Sequence, residues 1–286
     1  MTVLEVIQKS ADFLARKQID SPRLQAELLL AHLLKSPRMK LYLSFDRGLS
    51  DAELAQYREL VRRRGVREPL QHIVGSASFC GFEIAVSPAA LIPRPETELL
   101  AEAAWQFLGA VGPATALDFG TGTGCIAIAL ALKCPAARIR AVDISGDALV
   151  LARKNADANR VADRIEFLES DKFAALEGDA RFDLIVSNPP YIPTAELETL
   201  QPEVRDHDPK TALDGGADGL NFYRLLASEA GEFLKGAGKL MVELGDDQAD
   251  AVRRIFETQK WIVEAIREDY TGRARVLIAQ HGKFID

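Results

Sequence analysis

The 286-residue chain predicts an α/β fold, a doubly wound, mostly parallel sheet with a terminal antiparallel strand, preceded by a small helical bundle and a β-hairpin linker. Three observations carry that prediction. Residues 1–75 show helical periodicity throughout. Beyond residue 95, short apolar runs alternate with helical segments, the pattern of a parallel sheet covered on both faces. One of those runs opens into a glycine-rich turn, "DFGTGTGC", that leads directly into a helix.

Element by element, Leu4, Ile7, Ala11 and Leu14 form a helical stripe behind Thr2 as its cap. Ser21-Pro22 opens a second helix through Leu24, Leu28, Ala31 and Leu34. Ser50-Asp51-Ala52-Glu53 has the form of a capping box and starts a third helix, ending near Gly65. These helices make a first domain, 1–75. Residues 76–94 form a linker, with a hairpin over Ser76–Val86 turning at Cys80-Gly81. The remaining domain, 95–286, begins with a helix near Pro95. Its predicted strands are Ala116–Phe119, Arg138–Asp143, Ile165–Leu168, Leu184–Ser187 and Lys239–Leu244. A terminal pair follows, Trp261–Ile266 and Ala274–Gln280.

Composition narrows the function classes. A hydrophobic fraction of 48% and a charged fraction of 27% fit a domain with an ordinary core. The longest uncharged run, Ala103 to Leu117, contains Gly and Pro and is too short to span a bilayer. The amino terminus lacks the pattern of a signal peptide, so the expected location is cytoplasmic. Cys80, Cys125 and Cys134 form no CxxC pair and the four histidines are scattered, so no metal site is predicted. Residues 1–75 carry 13 Lys and Arg against 9 Asp and Glu, a balance of +4 within a net charge of −7. The acidic remainder does not suit a stable grip on nucleic-acid phosphates. The cluster Arg62-Arg63-Arg64, with Arg67, closes the third helix, where cations favour the dipole or could meet a partner.

The chemistry starts at the glycine turn. Asp118-Phe119-Gly120-Thr121-Gly122-Thr123-Gly124 joins a strand to a helix and places a cofactor at the carboxyl edge of the sheet. Asp143 ends the next strand, where a carboxylate can accept both hydroxyls of a ribose. The loop also satisfies a permissive dinucleotide pattern, so NAD must be weighed. S-adenosylmethionine (SAM) brings an ammonium and a sulfonium instead of a pyrophosphate, and Asp118 at the loop entrance suits that cationic end. Asp171, after the third strand, either meets an adenine amino group or caps a helix.

The stretch Ser187-Asn188-Pro189-Pro190-Tyr191 leaves the fourth strand with two residues that donate no backbone N–H. It is a stiff corner rich in acceptors, beside the end of the first strand. An amide or nucleobase NH₂ is a poor nucleophile because its lone pair is delocalised. The Asn188 side-chain oxygen and the Pro189 carbonyl could each accept one of its N–H bonds and turn the nitrogen toward a methyl donor, with Tyr191 covering the amide plane.

These residues resemble the amino-methyltransferases with a (D/N/S)-P-P-(Y/F/W) loop. More narrowly, the chain resembles the PrmC/HemK family of peptide chain release factor glutamine methyltransferases. The likeness runs from Pro69–Gly75, Phe79 and Gly81-Phe82 through Leu91-Ile92-Pro93-Arg94-Pro95-Glu96-Thr97-Glu98 and both loops above. It continues to Glu203, Asp206–Pro209, the "ALDGGADGL" stretch ending at Leu220, Tyr223-Arg224, and Tyr270 with Gly272-Arg273.

The resemblance implies a Rossmann-like SAM-dependent domain that methylates N5 of the Gly-Gly-Gln glutamine in class-I release factors and leaves S-adenosyl-L-homocysteine. It implies that the helical domain docks the release factor. It assigns SAM to Asp118, Gly120, Thr121, Gly122, Thr123, Gly124, Asp143, Asp171, Lys172, Phe173 and Asn188. Asn188, Pro189, Pro190 and Tyr191 receive the glutamine, with Asn188, Pro189 and Tyr191 catalytic. Lys172 stands where relatives often carry an aromatic, so either its alkyl stem or Phe173 must cover the adenine. Arg94 and Glu98 could pair to fix the linker. Ribosomal-protein glutamine, nucleic-acid adenine and NAD-dependent oxidoreductase chemistries are the alternatives. The last predicts nicotinamide binding, and the adenine enzyme needs a basic groove that +4 hardly supplies.

Overall fold

A computed structural model describes residues 1–176 and 180–282. The chain forms two compact units, one of residues 1–76 with 201–207, the other of 77–200 with the chain from Asp208 onward.

The first unit is helical: α1 (Val3–Arg16), α2 (Pro22–Leu33), α3 (Arg38–Leu41), α4 (Asp51–Gly65) and α5 (Leu70–Val74). Thr2 and Ser50 each close a capping box with the glutamate three residues on, Glu5 and Glu53. Ser21 instead turns with a positive φ and leaves the start of α2 to Pro22. Val3, Ile7, Leu14, Leu29, Leu30 and Tyr57 bury the shared core, and the Tyr57 hydroxyl donates to the Ala26 carbonyl across 3.0 Å.

The arginines that close α4 are engaged in ion pairs. Arg62 meets Glu59, Arg63 meets Glu68, and Glu203 stands 2.7 Å from both Arg64 and Arg67. Those last two contacts bring the short helix Pro202–Arg205 and its flanks into this unit. The sequence pattern alone places this segment in the domain 95–286.

The second unit begins with the hairpin of β1 (Ser76–Phe79) and β2 (Phe82–Ala85). Cys80 and Gly81 both have positive φ at its two-residue turn, the twist such a hairpin requires. After α6 (Thr97–Val111) the chain alternates: β3 (Thr115–Phe119), α7 (Cys125–Lys133), β4 (Arg138–Asp143), α8 (Gly146–Ala158), β5 (Ile165–Glu169) and β6 (Phe182–Ser187). It closes with the helix Asn221–Glu229, then β7 (Leu234–Glu243), the helix Ala249–Thr258, β8 (Trp261–Glu268) and β9 (Ala274–His281).

The seven strands lie in the order β5-β4-β3-β6-β7-β9-β8. The first five are parallel, and β9 runs antiparallel to both β7 and β8. Leu100, Ala104, Ile128 and Ile139 pack on one face of the sheet, and Ile185, Leu226, Val242 and Phe256 on the other. The strand β7 starts five residues before the predicted one and takes in Gly236 and Gly238. A register shift on β6 accommodates this start, and a Cβ at Gly238 would meet the Phe182 carbonyl oxygen at 2.8 Å. No helix among the described residues is long and apolar enough to cross a membrane.

Chain order runs outward from β3 to β4 and β5, then returns to β6 and β7 on its other side. That reversal leaves a crevice at the carboxyl ends of β3 and β6, the position open α/β sheets use for ligands.

Candidate active site

Strand register brings the polar strand exits together. Phe119 lies opposite Val142, Asp118 opposite Val186, and Asp143 opposite Glu169. The residues that follow these strands therefore emerge along one edge, around a cleft of about 210 Å³.

Gly120, Thr121, Gly122 and Thr123 line this cleft. Gly122 adopts φ +54 and its N–H donates to Asp143 Oδ2 across 2.8 Å. Gly124 sits behind the lining with φ +81, where a Cβ would come within 3.1 Å of Ala152. Backbone conformation and helix packing thus both require glycine there.

Asp118 is fully buried and does not line the cleft. Its Oδ2 accepts from the Thr121 hydroxyl at 2.6 Å and from the Ala127 N–H at 3.1 Å. Burial pushes the carboxyl up to about 7, with the neighbouring Asp143 charge adding to the shift and the Thr121 and Ala127 bonds opposing it. Expected from the sequence to meet a cationic ligand, Asp118 stands behind the loop and braces it.

Asp143 does face the cleft. Besides Gly122, its other oxygen accepts the Ser145 N–H at 2.9 Å. Each carboxylate oxygen thus holds one backbone donor and keeps further acceptor capacity, which fits a pair of ribose hydroxyls. Ile144, 61% exposed, follows at the cleft wall. It offers an apolar surface that sequence reasoning missed, although an isoleucine stranded between Asp143 and Ser145 was its signal.

Asp171 and Lys172 line the cleft, whereas Phe173 is buried. Its ring stacks on Phe233 at 4.8 Å and tilts against Phe119 at 4.7 Å. Of the two residues expected to cover an adenine, Phe173 belongs to the core, where its apolar ring gains most from burial. Lys172 turns with φ +57 at the cleft edge.

Asn188 and Pro190 border the other side. Ser187 is fully buried. The Asn188 amide nitrogen donates to the Thr97 hydroxyl across 3.0 Å, which leaves Oδ1 to the cleft. Among the described residues, neither that oxygen nor the Pro189 carbonyl accepts a hydrogen bond from the chain. Pro189 is buried, and Tyr191 packs away from the cleft against the core. Gln248 donates to the Tyr191 carbonyl at 2.9 Å. A Cβ at Gly245 would meet the Tyr191 ring at 2.8 Å, so the ring packs where only glycine leaves space for it. The expected lid over an amide plane is therefore a prop beneath the loop.

Two further residues join this corner without having been anticipated. Thr97, at the first turn of α6 and the acceptor of the Asn188 bond, and Glu243, at the end of β7, are both buried. The sequence signal was an acid ending the apolar run Leu240-Met241-Val242. Nor do Arg94 and Glu98 pair. Arg94 binds Asp208 at 2.5 Å, and Glu98 accepts the Cys80 N–H at 2.8 Å.

Residues 5–75 match the family described as "PrmC N-terminal domain", and residues 97–201 match "Methyltransferase small domain". A methyltransferase structure from Pyrococcus furiosus superposes with a TM-score of 0.51 over 71% of this chain and 90% of that one. At 21% identity it speaks to the fold alone. A release factor glutamine methyltransferase from Geobacter sulfurreducens is 46% identical over 276 residues, 96% of this chain and 95% of that protein. The protein of that name from Chlorobaculum tepidum is 46% identical over 284 residues, 96% of each. Likeness at this level takes in the helical unit, the hairpin and both loops of the cleft, and on that ground the chain belongs to the release factor glutamine methyltransferase family.

Proposed function

We propose that this protein transfers the methyl group of SAM to N5 of the glutamine in the Gly-Gly-Gln motif of class-I peptide chain release factors. S-adenosyl-L-homocysteine is the other product. One observation carries the reading: at the rim of the glycine-loop cleft, Asn188 is anchored through its nitrogen, so its oxygen is free to accept.

The cleft suits SAM by its own chemistry. Gly122 leaves room for close backbone approach, Asp143 retains acceptor capacity, and Ile144 offers an apolar wall. SAM supplies an electrophilic methyl carbon on a sulfonium. Asn188 Oδ1 and the Pro189 carbonyl take the two N–H bonds of the glutamine amide and set its nitrogen facing that carbon. Each such bond contributes only about 0.5 to 1.5 kcal/mol. Orientation contributes more, since a well-aligned pair of reactants can gain about 7 to 11 kcal/mol. The two prolines keep the corner stiff. No base is needed before attack, because methylation itself makes the nitrogen acidic. Pro189 and Tyr191 support the corner, Asp171 and Lys172 border the base, and the helical unit docks the release factor. Translation termination places the enzyme in the cytoplasm.

The test is methyl transfer from labelled SAM to a purified release factor. Label should appear on the wild-type factor and be lost when the Gly-Gly-Gln glutamine is alanine. Persistent labelling of that variant would reject the substrate.

A further inference from the structure

The parallel strands β3 to β7 all end at the edge that carries the cleft, and one further turn of the chain stands on that edge. β9 runs antiparallel to β7, with Val276 opposite Glu243, so the turn between β8 and β9, residues 269–273, lies beside the end of β7. None of its residues lines the cleft. We propose that this turn, with Tyr270 at its tip, is a contact surface for the release factor. The inference deepens the proposed function and rests on it.

The turn is braced from within. Asp269 Oδ1 accepts from the Thr271 N–H at 2.8 Å, the Thr271 hydroxyl at 2.6 Å and the Arg273 N–H at 3.1 Å. Its Oδ2 accepts from Arg275 Nε at 2.9 Å. The Asp269 N–H donates to the Arg273 carbonyl at 2.8 Å, and Gly272 supplies the positive φ, +81, that closes the turn. Arg275, 11% exposed, also reaches Asp246 at 2.6 Å, and Arg273 meets the same carboxylate at 3.2 Å. Asp246 follows Gly245, against which the Tyr191 ring packs. The turn is thereby tied, through the residues after β7, to the corner that carries Asn188.

What this bracing presents is Tyr270, fully exposed, beside the largely exposed Arg273. One exposed aromatic is ordinary on any surface. Here the backbone beneath it is fixed in advance, so a partner meets the ring at little ordering cost. Tyrosine and arginine are also the side chains that most often dominate contact energy. The occupant follows from the substrate. A glutamine of a folded protein reaches Asn188 only if that protein's own surface lies along the cleft edge. Neighbouring strands stand about 4.8 Å apart, which puts the turn roughly 10 to 15 Å from the end of β6. A protein footprint of about 800 Å² is roughly 30 Å across, so one centred on the Asn188 corner reaches Tyr270.

The test measures KM and kcat with a purified class-I release factor, and SAM affinity by calorimetry, for the wild type, Tyr270→Ala and Asp269→Ala. Tyr270→Ala should raise KM for the factor about tenfold, the scale of a truncated interface anchor, with kcat and SAM affinity unchanged. Asp269→Ala, which frees the turn, should raise KM about threefold through the cost of ordering it again. A Tyr270→Ala KM equal to wild type overturns the inference and leaves the proposed function standing. So does a lower kcat or weaker SAM binding at unchanged KM, which would place the effect of the turn inside the cleft. A wild-type dimer that Tyr270→Ala makes monomeric, read by light scattering, would give the turn to a second copy of this chain and also overturn it. A wild type that transfers no methyl group to the factor rejects the proposed function, and the inference falls with it.

Discussion

The Ser187 hydroxyl donates to the Phe119 carbonyl oxygen across 2.7 Å in a fully buried contact. It ties together the two strand ends from which the cofactor loop and the Asn188 corner emerge. Their separation is thus set by a bond in the sheet, beneath the cleft.

Ser187→Ala should therefore leave the Phe119 carbonyl without this donor. The expected loss is about 1 kcal/mol of stability, with a several-fold lower methylation rate and nearly unchanged SAM affinity. Chemical denaturation with single-turnover kinetics checks this. An unchanged rate would show that the loops hold their separation without the bond.

Asp143 carries two tasks, accepting from Gly122 and Ser145 and facing the cleft. Asp143→Ala should weaken SAM binding at least about tenfold, the scale of one charge-assisted hydrogen bond. Titration calorimetry reads that directly. Wild-type affinity would remove Asp143 from the cofactor site.

Asp118 and Glu243 give stability an uncommon pH dependence. Burial raises both carboxyls to about 7 in the folded protein, from ordinary values of 3.8 and 4.5. Between those limits the folded chain holds protons that the unfolded chain has released. This contribution is thus complete at low pH and is lost as pH rises through about 7. Asp118→Asn should flatten the fall between pH 5.5 and 8, values chosen to lie about either side of the transition. Urea denaturation at both values tests it, and a variant as steep as the wild type would contradict it.

Glu203 lies 2.7 Å from both Arg64 and Arg67. Glu203→Ala should loosen residues 201–207 and leave a buried Arg64 without its carboxylate. Amide hydrogen exchange should quicken in that segment and at the end of α4, with β3 and β6 unaffected. Unchanged exchange at 201–207 would mean that other contacts hold the segment.

Much of the architecture was legible because the strand exits carry their own punctuation. Apolar runs end in Asp118, Asp143 and Ser187, and parallel pairing brings such ends to one edge. Side-chain direction was less legible. Lys172 and Phe173 are adjacent, yet a positive φ at Lys172 sends one to the cleft and the other into the aromatic contact with Phe233. Asp118 and Tyr191 occupy motif positions but turn inward, because satisfying the glycine loop and filling the space beside Gly245 compete with facing a ligand. Asn188 and Thr97 are far apart in the chain, and no periodicity reports the hydrogen bond between them. The same holds for Glu203 and Arg64, which is why residues 201–207 could not be assigned to the helical unit from pattern alone.

The most direct measurement is a crystal structure of the enzyme with S-adenosyl-L-homocysteine and a peptide carrying Gly-Gly-Gln. The account predicts Asn188 Oδ1 and the Pro189 carbonyl oxygen each within about 3 Å of the glutamine amide nitrogen, with that nitrogen facing the sulfur. A glutamine nitrogen held by other groups, or turned away from the sulfur, would contradict it.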